Sequence, residues 1–589
     1  MFKLLKRFKW IEWLQLALSI VFISSQVWLD LKIPDYMSEV TRLVQTPGSQ
    51  MKEIWIAGGY MLLCAIGSLL AAFTVGFFAA RLAATLSYRL RSDLYDKVES
   101  FSMEEVELFS ISSLITRSTN DITQVQAIVA MGLQVMIKAP IMATWAIIKI
   151  LGKSWQWSLA TGSAIVALIS IVSVIIFLAL PKFKIIQKLI DNLNRITREN
   201  LVGVRVVRAY NAEDYQMDKF EVANAHLTKT NLFTNRLMTI MMPSMQLIMN
   251  GLSLSIYWIG AYLINGAVLE NKLGIFTDMI VYSSYAMQVV MSFMMLIMIF
   301  IMLPRAAVSI NRINEVLGTE AKIIDGDLSR IPWTMGEVEF KNVSFKYPDA
   351  NEYVLHNISF KAEPGETIAF IGSTGSGKST LINLIPRFYD ATEGEILING
   401  INIKEYKQKD LHNKIGYVPQ KAVIFSGTIK SNINFGESNR KELSLGDIKE
   451  AATIAHASEF IEKMENTYDA SIAQGGTNLS GGQKQRLAIA RAVAREPEIL
   501  IFDDSFSALD YKTDRKLRED LDKQKIGSTT FIVAQRIGTI RNANKIIVLD
   551  EGEIVGMGSH YELMKDCKVY QEIAYSQLSK EEIGYDERA

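Results

Sequence analysis

Six long apolar runs fall within the first 303 residues, at roughly 12–33, 54–80, 127–151, 155–181, 238–265 and 274–303. No other feature constrains the fold as strongly. About 20 apolar residues in a helix cross a hydrocarbon core of about 30 Å. Backbone polar groups find no water there, so each run must be helical. One water-soluble core could not bury six such helices. The second half of the chain lacks them and alternates short apolar strands with helical segments. The break lies near 318–335, where Gly318, Gly326 and Asp327 interrupt the periodic pattern.

Charge orients the spans. Lys3, Lys6, Arg7 and Lys9 precede the first run and put the N-terminus on the cytoplasmic side. That run is too long for a signal-peptide core and has no small-x-small cleavage site after it, so it is read as a retained span. The turns at 152–154 and 266–273 are short and expected outside. The connections at 82–126 and 182–237 are long and rich in Lys and Arg, so they are expected inside. Residues 81–101 and 183–200 keep helical spacing without Pro or Gly. At about 1.5 Å per residue, some 20 extra residues carry a helix roughly 30 Å past the bilayer. Two helical hairpins with tips near 107–117 and 205–215 are therefore expected. Ordinary amphipathic surface helices would fit the same spacing.

Lys and Arg total 62 and Asp and Glu also total 62, so the basic excess of a nucleic-acid-coating protein is missing and no nucleic-acid partner is expected. Two cysteines, Cys64 and Cys567, are too few for a disulfide scaffold or a Cys-rich zinc site.

The second half carries the chemistry. The strand Glu366–Ile371 runs into Gly372-Ser373-Thr374-Gly375-Ser376-Gly377-Lys378-Ser379-Thr380, and an apolar helix follows from Leu381. This is G-x-x-x-x-G-K-[ST] in its strand–loop–helix setting. Backbone N–H groups wrap a phosphate, Lys378 reaches the β/γ-phosphates of ATP, and the Ser379 hydroxyl is a Mg²⁺ ligand. A second apolar strand, Ile499–Phe502, ends in Asp503-Asp504, with Asp503 placed to hold Mg²⁺. Leu479-Ser480-Gly481-Gly482-Gln483 opens another helix, as an anion-facing turn or a plain helix start.

Together these motifs resemble the ATP-binding cassette (ABC) proteins, with Leu479–Gln483 matching the family signature. The resemblance implies that the signature faces ATP on a second nucleotide domain, so that two domains sandwich two nucleotides. It makes Tyr347 the aromatic stacked on adenine, a contact worth roughly 1–3 kcal/mol in other nucleotide complexes. Gln420 is implied as the glutamine that touches Mg²⁺ and couples to the membrane half. Ser507–Asp510 is implied as the loop between the two sites. The first half resembles the six-span domain of ABC exporters (type IV fold), with Ser113–Asp121 and Glu199–Glu213 similar to its two coupling regions.

The fold class expected is thus a polytopic α-helical membrane domain, six spans with long cytoplasmic extensions, followed by an α/β P-loop nucleotide-binding domain. The domains are expected at 1–320 and 335–575, with a tail at 576–589. One span set and one nucleotide domain make a half-transporter, multi-pass in the plasma membrane, with its nucleotide domain cytoplasmic.

Two positions depart from the family pattern. After the Mg²⁺ aspartate, fully active members have glutamate, which orients the attacking water or takes its proton. Here it is Asp504, shorter by about 1.5 Å. A misplacement of about 1 Å can cost roughly 10²-fold in rate. The switch histidine expected after the strand Thr529–Val533 is Gln535, followed by Arg536. Glutamine donates a hydrogen bond but does not ionise. His226, His356, His412, His456 and His560 all lie elsewhere in sequence. With the signature intact, this resembles the degenerate-site subunit of heterodimeric bacterial multidrug exporters, as does Gln474–Asn478. The implied partner is a homologous half-transporter carrying the catalytic Glu and the switch His.

Methionines crowd the last two spans: Met238, Met241, Met242, Met245 and Met249 on the fifth, and Met279, Met287, Met291, Met294, Met295, Met298 and Met302 on the sixth. They suit an adaptable cavity for lipophilic compounds, or serve as filler between helices or towards lipid. Asp278 is read as hydrated near the outer interface and Lys138 as snorkelling. The alternatives are a lipid or peptide exporter of the same architecture, or a regulatory subunit gated by ATP. No protease domain precedes the first span, which disfavours a peptide-processing exporter. A soluble DNA-maintenance ATPase is excluded by the spans.

Overall fold

The computed structural model describes residues 8–46, 48–151, 153–328, 336–348, 350–437, 443–507, 509–523 and 527–578. Lys3, Lys6, Arg7, part of the 318–335 break, Ala508 and the tail from 579 lie outside the described residues.

Among the described residues, six helices are long and apolar enough to cross a membrane. Helices α1 (Trp10–Gln45) and α2 (Met51–Glu99) are followed by two short helices, α3 (Met103–Phe109) and α4 (Ile111–Thr116). A single π-turn, Arg117–Asp121, leads into α5 (Ile122–Leu151). Then come α6 (Trp155–Val202), the short α7 (Val204–Ala209), α8 (Glu213–Gly266) and α9 (Leu269–Gly318). Helices α2, α6, α8 and α9 contain 49, 48, 54 and 50 residues. At about 1.5 Å per residue each is roughly twice as long as a bilayer core requires. The extension expected at 183–200 is an unbroken part of α6, and that expected at 81–101 belongs to α2 as far as Glu99, where the helix ends.

The chain divides into two compact units, and the division is not a single cut. One unit is Met1–Glu99 with Ser112–Gly318; the other is Ser100–Ile111 with Thr319–Ala589. In the membrane unit, Ile23, Val27, Leu168, Val172, Ile256, Tyr282, Tyr285 and Val289 form a buried core. Large apolar side chains face outward, with Phe73 75 % and Phe177 80 % exposed, as a lipid-facing surface requires.

Polar contacts fix the packing inside this apolar bundle. Asp30 on α1 pairs with Lys138 on α5 at 3.2 Å and accepts a hydrogen bond from Ser68 on α2. Lys138 therefore ends on a neighbouring helix rather than snorkelling. Asp35 pairs with Lys149 at 2.8 Å and accepts from the Tyr285 hydroxyl. Asp278, read above as simply hydrated, pairs with Lys153. Trp157 Nε1 donates to the Ile256 carbonyl at 3.1 Å, and the Thr161 and Tyr282 hydroxyls lie 3.0 Å apart. At the other end of α1, Glu12 pairs with Arg89 at 2.7 Å. In hydrocarbon such groups need internal partners.

Of the two implied coupling regions, Ser113–Asp121 packs on α9: Arg117 reaches Glu315 at 2.8 Å and the Arg312 carbonyl at 3.0 Å, and Asp121 accepts from Ser309 at 2.7 Å. Around α7 the chain exposes Val202, Val206 and Tyr210.

The nucleotide unit is α/β. Strands β1 (Val338–Phe345), β2 (Leu355–Ala362), β4 (Glu393–Ile398) and β5 (Ile401–Asn402) form an antiparallel sheet in the order β2-β1-β4-β5. Apart from the small pair β7 (Gly427–Thr428) and β8 (Ser471–Ile472), the remaining strands β3 (Thr367–Gly372), β6 (Ile415–Val418), β9 (Ile499–Asp503), β10 (Thr529–Val533), β11 (Lys545–Asp550) and β12 (Glu553–Gly558) form a second large sheet. Its order is β12-β11-β3-β10-β9-β6, parallel except for β12. Its central strands read as continuous apolar runs because both faces are covered. Every residue of β9 is buried.

Candidate nucleotide-binding site

The carboxyl ends of adjacent parallel strands β3, β10 and β9 gather the loops that carry the expected site. Helix α10 (Lys378–Leu384) starts at Gly377, whose φ of +91° is a left-handed conformation that glycine adopts without strain. A Cβ on Gly377 would also lie 2.7 Å from Leu355, and one on Gly372 would lie 1.9 Å from the Leu549 carbonyl oxygen. Two glycines of the loop are therefore required by space.

Lys378 Nζ donates to the Gly372 and Ser373 carbonyls at 3.0 and 2.6 Å and to Ser376 Oγ at 3.1 Å. The ammonium thus rests inside its own loop, held over the cradle. Burial pushes its pKa down, opposed by Asp504 and Asp503. Ser379 Oγ donates to Asp503 Oδ1 at 2.8 Å. Burial raises the Asp503 carboxyl; the Ser379 hydrogen bond and Lys378 oppose the rise, and Asp504 reinforces it. A hydroxyl and a carboxylate side by side make an oxygen donor set that fits Mg²⁺, which takes one or two protein oxygens beside phosphate.

Asp504 is the hub of the site. Its backbone turns left-handed, φ +46°, and its N–H donates to the Val533 carbonyl at 3.0 Å. Its Oδ2 accepts from Gln420 Nε2 at 3.3 Å and from Gln535 Nε2 at 3.0 Å. Burial raises its carboxyl, with Gln420, Lys378 and Arg536 pulling it back. The two departures read from sequence thus meet on one oxygen. Three of the histidines have other partners: His412 the Pro386 carbonyl, His456 Asp520, and His560 the Tyr570 hydroxyl.

Tyr347 follows β1. Its hydroxyl lies 3.0 Å from Thr380 Oγ1, and its ring stands edge-on to Phe345 and Tyr389 at 5.0 and 5.4 Å. The signature opens α12 (Gly481–Val493), where α11 (Leu445–Ile454) is the preceding long helix of the domain. Ser480 and Gln483 cap it reciprocally: Ser480 N donates to Gln483 Oε1 at 2.8 Å, and Gln483 N donates to Ser480 Oγ at 3.3 Å. Leu479 is buried, and Gly481 and Gly482 form the first turn. Among the described residues, no hydrogen bond joins Leu479–Gln483 to the Lys378–Asp503 cluster. Asp510 caps the next helix, α13 (Tyr511–Lys523), accepting from Thr513 N at 3.0 Å, which holds its carboxyl below the usual range.

Two supporting features have no sequence motif. Gln577, near the end of α14 (Lys568–Gln577), donates to the Gln535 carbonyl at 2.7 Å and accepts from Ile537 N at 2.8 Å. Arg491 on α12 lies over the Phe425 and Phe435 rings at 5.5 and 5.2 Å and donates to the carbonyls of Asn432 and Val423. Side-chain contacts across 40–70 residues leave no local spacing signal.

The site has the parts that a nucleotide triphosphate needs, and comparison with known proteins gives the family. Residues 355–507 match the ABC transporter model and 14–293 match the ABC transporter transmembrane region. An uncharacterized ABC transporter ATP-binding protein of Mycobacterium tuberculosis is 39% identical over 530 residues, covering 89% of this chain and 88% of the relative. The chain belongs to the ABC transporter family. The uncharacterized ABC transporter ATP-binding protein YfiB of Bacillus subtilis is 38% identical to this transporter over 536 residues, 90% of this chain and 91% of the relative. The ATP-dependent lipid A-core flippase of Pseudomonas savastanoi is 32% identical over 505 residues, 85% and 82% of the two chains. In fold, the transporter matches a bacterial Atm1-family ABC exporter with ATP bound: TM-score 0.80, 24% identity, covering 96% of this chain and 99% of that one. The transporter carries one ABC transporter transmembrane region and one ABC ATP-binding domain in one chain, with six membrane-capable helices among the described residues.

Proposed function

We propose that this chain is one half of a heterodimeric exporter, in which its own ATP site is impaired in hydrolysis and its signature completes the active site of a different partner. The observation that carries this is Asp504: a short carboxylate whose Oδ2 already accepts from Gln420 and Gln535. A carboxylate so occupied is poorly available to orient water or take its proton, and Gln535 has no ionisable nitrogen to contribute. Binding is unaffected by either change. Lys378 exchanges the carbonyls of Gly372 and Ser373 for the β/γ-phosphates, the loop N–H groups from Gly372 to Thr380 wrap them, and Tyr347 stacks on the base. Ser379, Asp503 and Gln420 would hold Mg²⁺, which neutralises phosphate charge. The site therefore keeps ATP for long periods and biases the dimer towards closure. Turnover takes place where Leu479–Gln483 and Asp510 meet the partner's phosphate loop, catalytic Glu and switch His.

The cargo is lipophilic, moved outward across the plasma membrane, with the N-terminus and nucleotide domain cytoplasmic. The relative named as a lipid A-core flippase favours an amphiphilic lipid as the second reading. The test is ATPase activity of this chain alone in lipid, beside an Asp504→Glu, Gln535→His double variant. Near-background wild type with a gain in the double variant supports the reading. Brisk wild-type turnover with drug stimulation overturns it and makes the chain a self-sufficient homodimer.

A further inference from the structure

Helix α9 runs for 50 residues from the turn after α8 to Gly318, and the nucleotide unit resumes at Thr319. At about 1.5 Å per residue it is longer than a bilayer is thick, so its two ends lie on opposite sides. With the nucleotide unit cytoplasmic, the turn between α8 and α9 faces out. Trp155 at the start of α6, and Trp258 and Tyr262 near the end of α8, are 72, 75 and 79 % exposed. Trp and Tyr gather where lipid meets water, so these rings mark the outer interface.

At that level a cavity of about 460 Å³ lies between α8 and α9. Ligand sites have volumes of roughly 300–1,000 Å³. Its walls are largely apolar, with Tyr257 and Ile264 from α8 and Phe276 and Met279 from α9. A Cβ on Gly260 would lie 2.8 Å from Met279 Cγ. The helices therefore touch through a glycine, and buried Met279 is both that contact and a wall of the cavity.

Two polar side chains share the lining, Asn265 in the last turn of α8 and Lys272 in the first turn of α9. Lys272 is half-buried. Helix α8 has no Asp or Glu from 222 to 266. Asp278, less than two turns along α9, is held by Lys153. Among the described residues, Lys272 thus has no acidic partner. Apolar walls do not hold water, and an empty space forfeits the contacts of its lining. In a membrane the neighbouring filler is an acyl chain. The cation and the amide at the headgroup end suit a phosphate.

We propose that this cavity is a binding site for one anionic phospholipid of the outer leaflet, with an acyl chain between Tyr257, Phe276 and Met279 and its phosphate at Lys272 and Asn265. The lipid bridges the last two spans at their outer ends. The proposal is independent of the cargo and of how fast either ATP site turns over.

The experiment is photolabelling of the full chain in nanodiscs of neutral lipid, with adducts mapped by mass spectrometry. The probes are phosphatidylglycerol and phosphatidylcholine with the same diazirine-bearing acyl chain. Adducts within 254–280 should be roughly five-fold more abundant with phosphatidylglycerol, the worth of one interfacial cation. Lys272→Gln should lower that labelling to the phosphatidylcholine level, and Lys272→Arg should keep the excess. Ala261→Phe, which puts a ring into the cavity, should reduce labelling by both probes. Melting temperature checks each variant, and the two Lys272 variants decide the question even where Ala261→Phe fails to fold. Excess glycerol 3-phosphate should not compete; if it does, the site takes a free phosphate rather than a lipid and the proposal fails. Equal labelling by the two probes, or an undiminished excess in Lys272→Gln, also overturns it. So does the lack of adducts within 254–280, whether the cavity is empty or covered by a second chain.

Discussion

Asp503 and Asp504 are adjacent buried carboxylates, and the folded chain raises both of them. The sign of the effect on stability follows. A carboxyl raised in the folded state binds its proton more tightly there than in the unfolded chain, so ionising it costs stability. That cost is present above the folded pKa and fades as the pH falls towards 3.8, the ordinary aspartate value. Asp503→Asn should therefore melt a few degrees higher than wild type at pH 8 without nucleotide. The difference should shrink as acid is added and vanish near 3.8. The same variant should lose the extra stability that Mg-ATP gives wild type, because Ser379 then has no carboxylate beside it. Differential scanning fluorimetry across pH reads both; a pH-independent difference would mean that the buried charge is not the cause. At this scale the sequence was most legible. Lys378, Ser379 and Asp503 lie in motifs that dictate their own local geometry. That Gln420 and Gln535 converge on one oxygen of Asp504 was not legible, because three separate loops supply the three residues.

Elements depend on contacts that no short motif encodes. Arg491 fastens α12 to the segment 423–435 with a planar fork, two carbonyls and two rings. Lysine offers neither the fork nor the flat face. Arg491→Lys should therefore destabilise the nucleotide unit by about 1–3 kcal/mol, the cost of leaving buried acceptors unpaired. Urea titration of the full chain in detergent, followed by the near-ultraviolet signal, measures this. In the membrane unit, Asp30 and Lys138 join α1 to α5. Breaking the pair strands one charge; removing both strands none. Asp30→Asn and Lys138→Met should each harm thermal stability in detergent more than their combination does, with a coupling of at least about 0.5 kcal/mol in a double-variant cycle. Additive losses would mean that the pair is incidental. The spans themselves were legible because length and apolarity set them. Their polar ties were not. Asp30 and Lys149 sit in apolar runs and Asp35 lies just past one, and only helix packing shows which charge meets which. The position of α3 was hidden for a related reason: seven residues carry no periodic signal, and the Tyr389–Glu107 bond joins residues 282 apart in sequence.

At the scale of the whole molecule, the chain carries one phosphate loop and one signature turn, and among the described residues no hydrogen bond joins them. The family resemblance places the signature against the phosphate loop of a second nucleotide domain, so a nucleotide sandwiched in that way involves a second chain. The identity of that chain decides how defects in Asp504 and Gln535 are shared. In a homodimer both composite sites carry both defects, and turnover is slow everywhere. In the proposed heterodimer the defects fall in one site only. The two cases separate in a purified pair of this chain with its partner. Removing the partner's catalytic Glu should lower ATPase by roughly 10²-fold or more, the usual worth of a positioned acid–base group. On the proposed division of labour, Asp504→Asn in this chain should change it by less than about two-fold, because Asp504 Oδ2 already accepts from two amides. Ser480→Ala should act in the opposite direction to its own address. It lies in this chain, far in sequence from the phosphate loop, yet it should slow the partner's site as it loosens the cap of α12, worth about 1 kcal/mol. Phosphate release by the three variants reads all of this at once. If ATPase survives loss of the partner's Glu, or if Asp504→Asn abolishes it, then turnover resides in this chain's own site and the division of labour runs the other way.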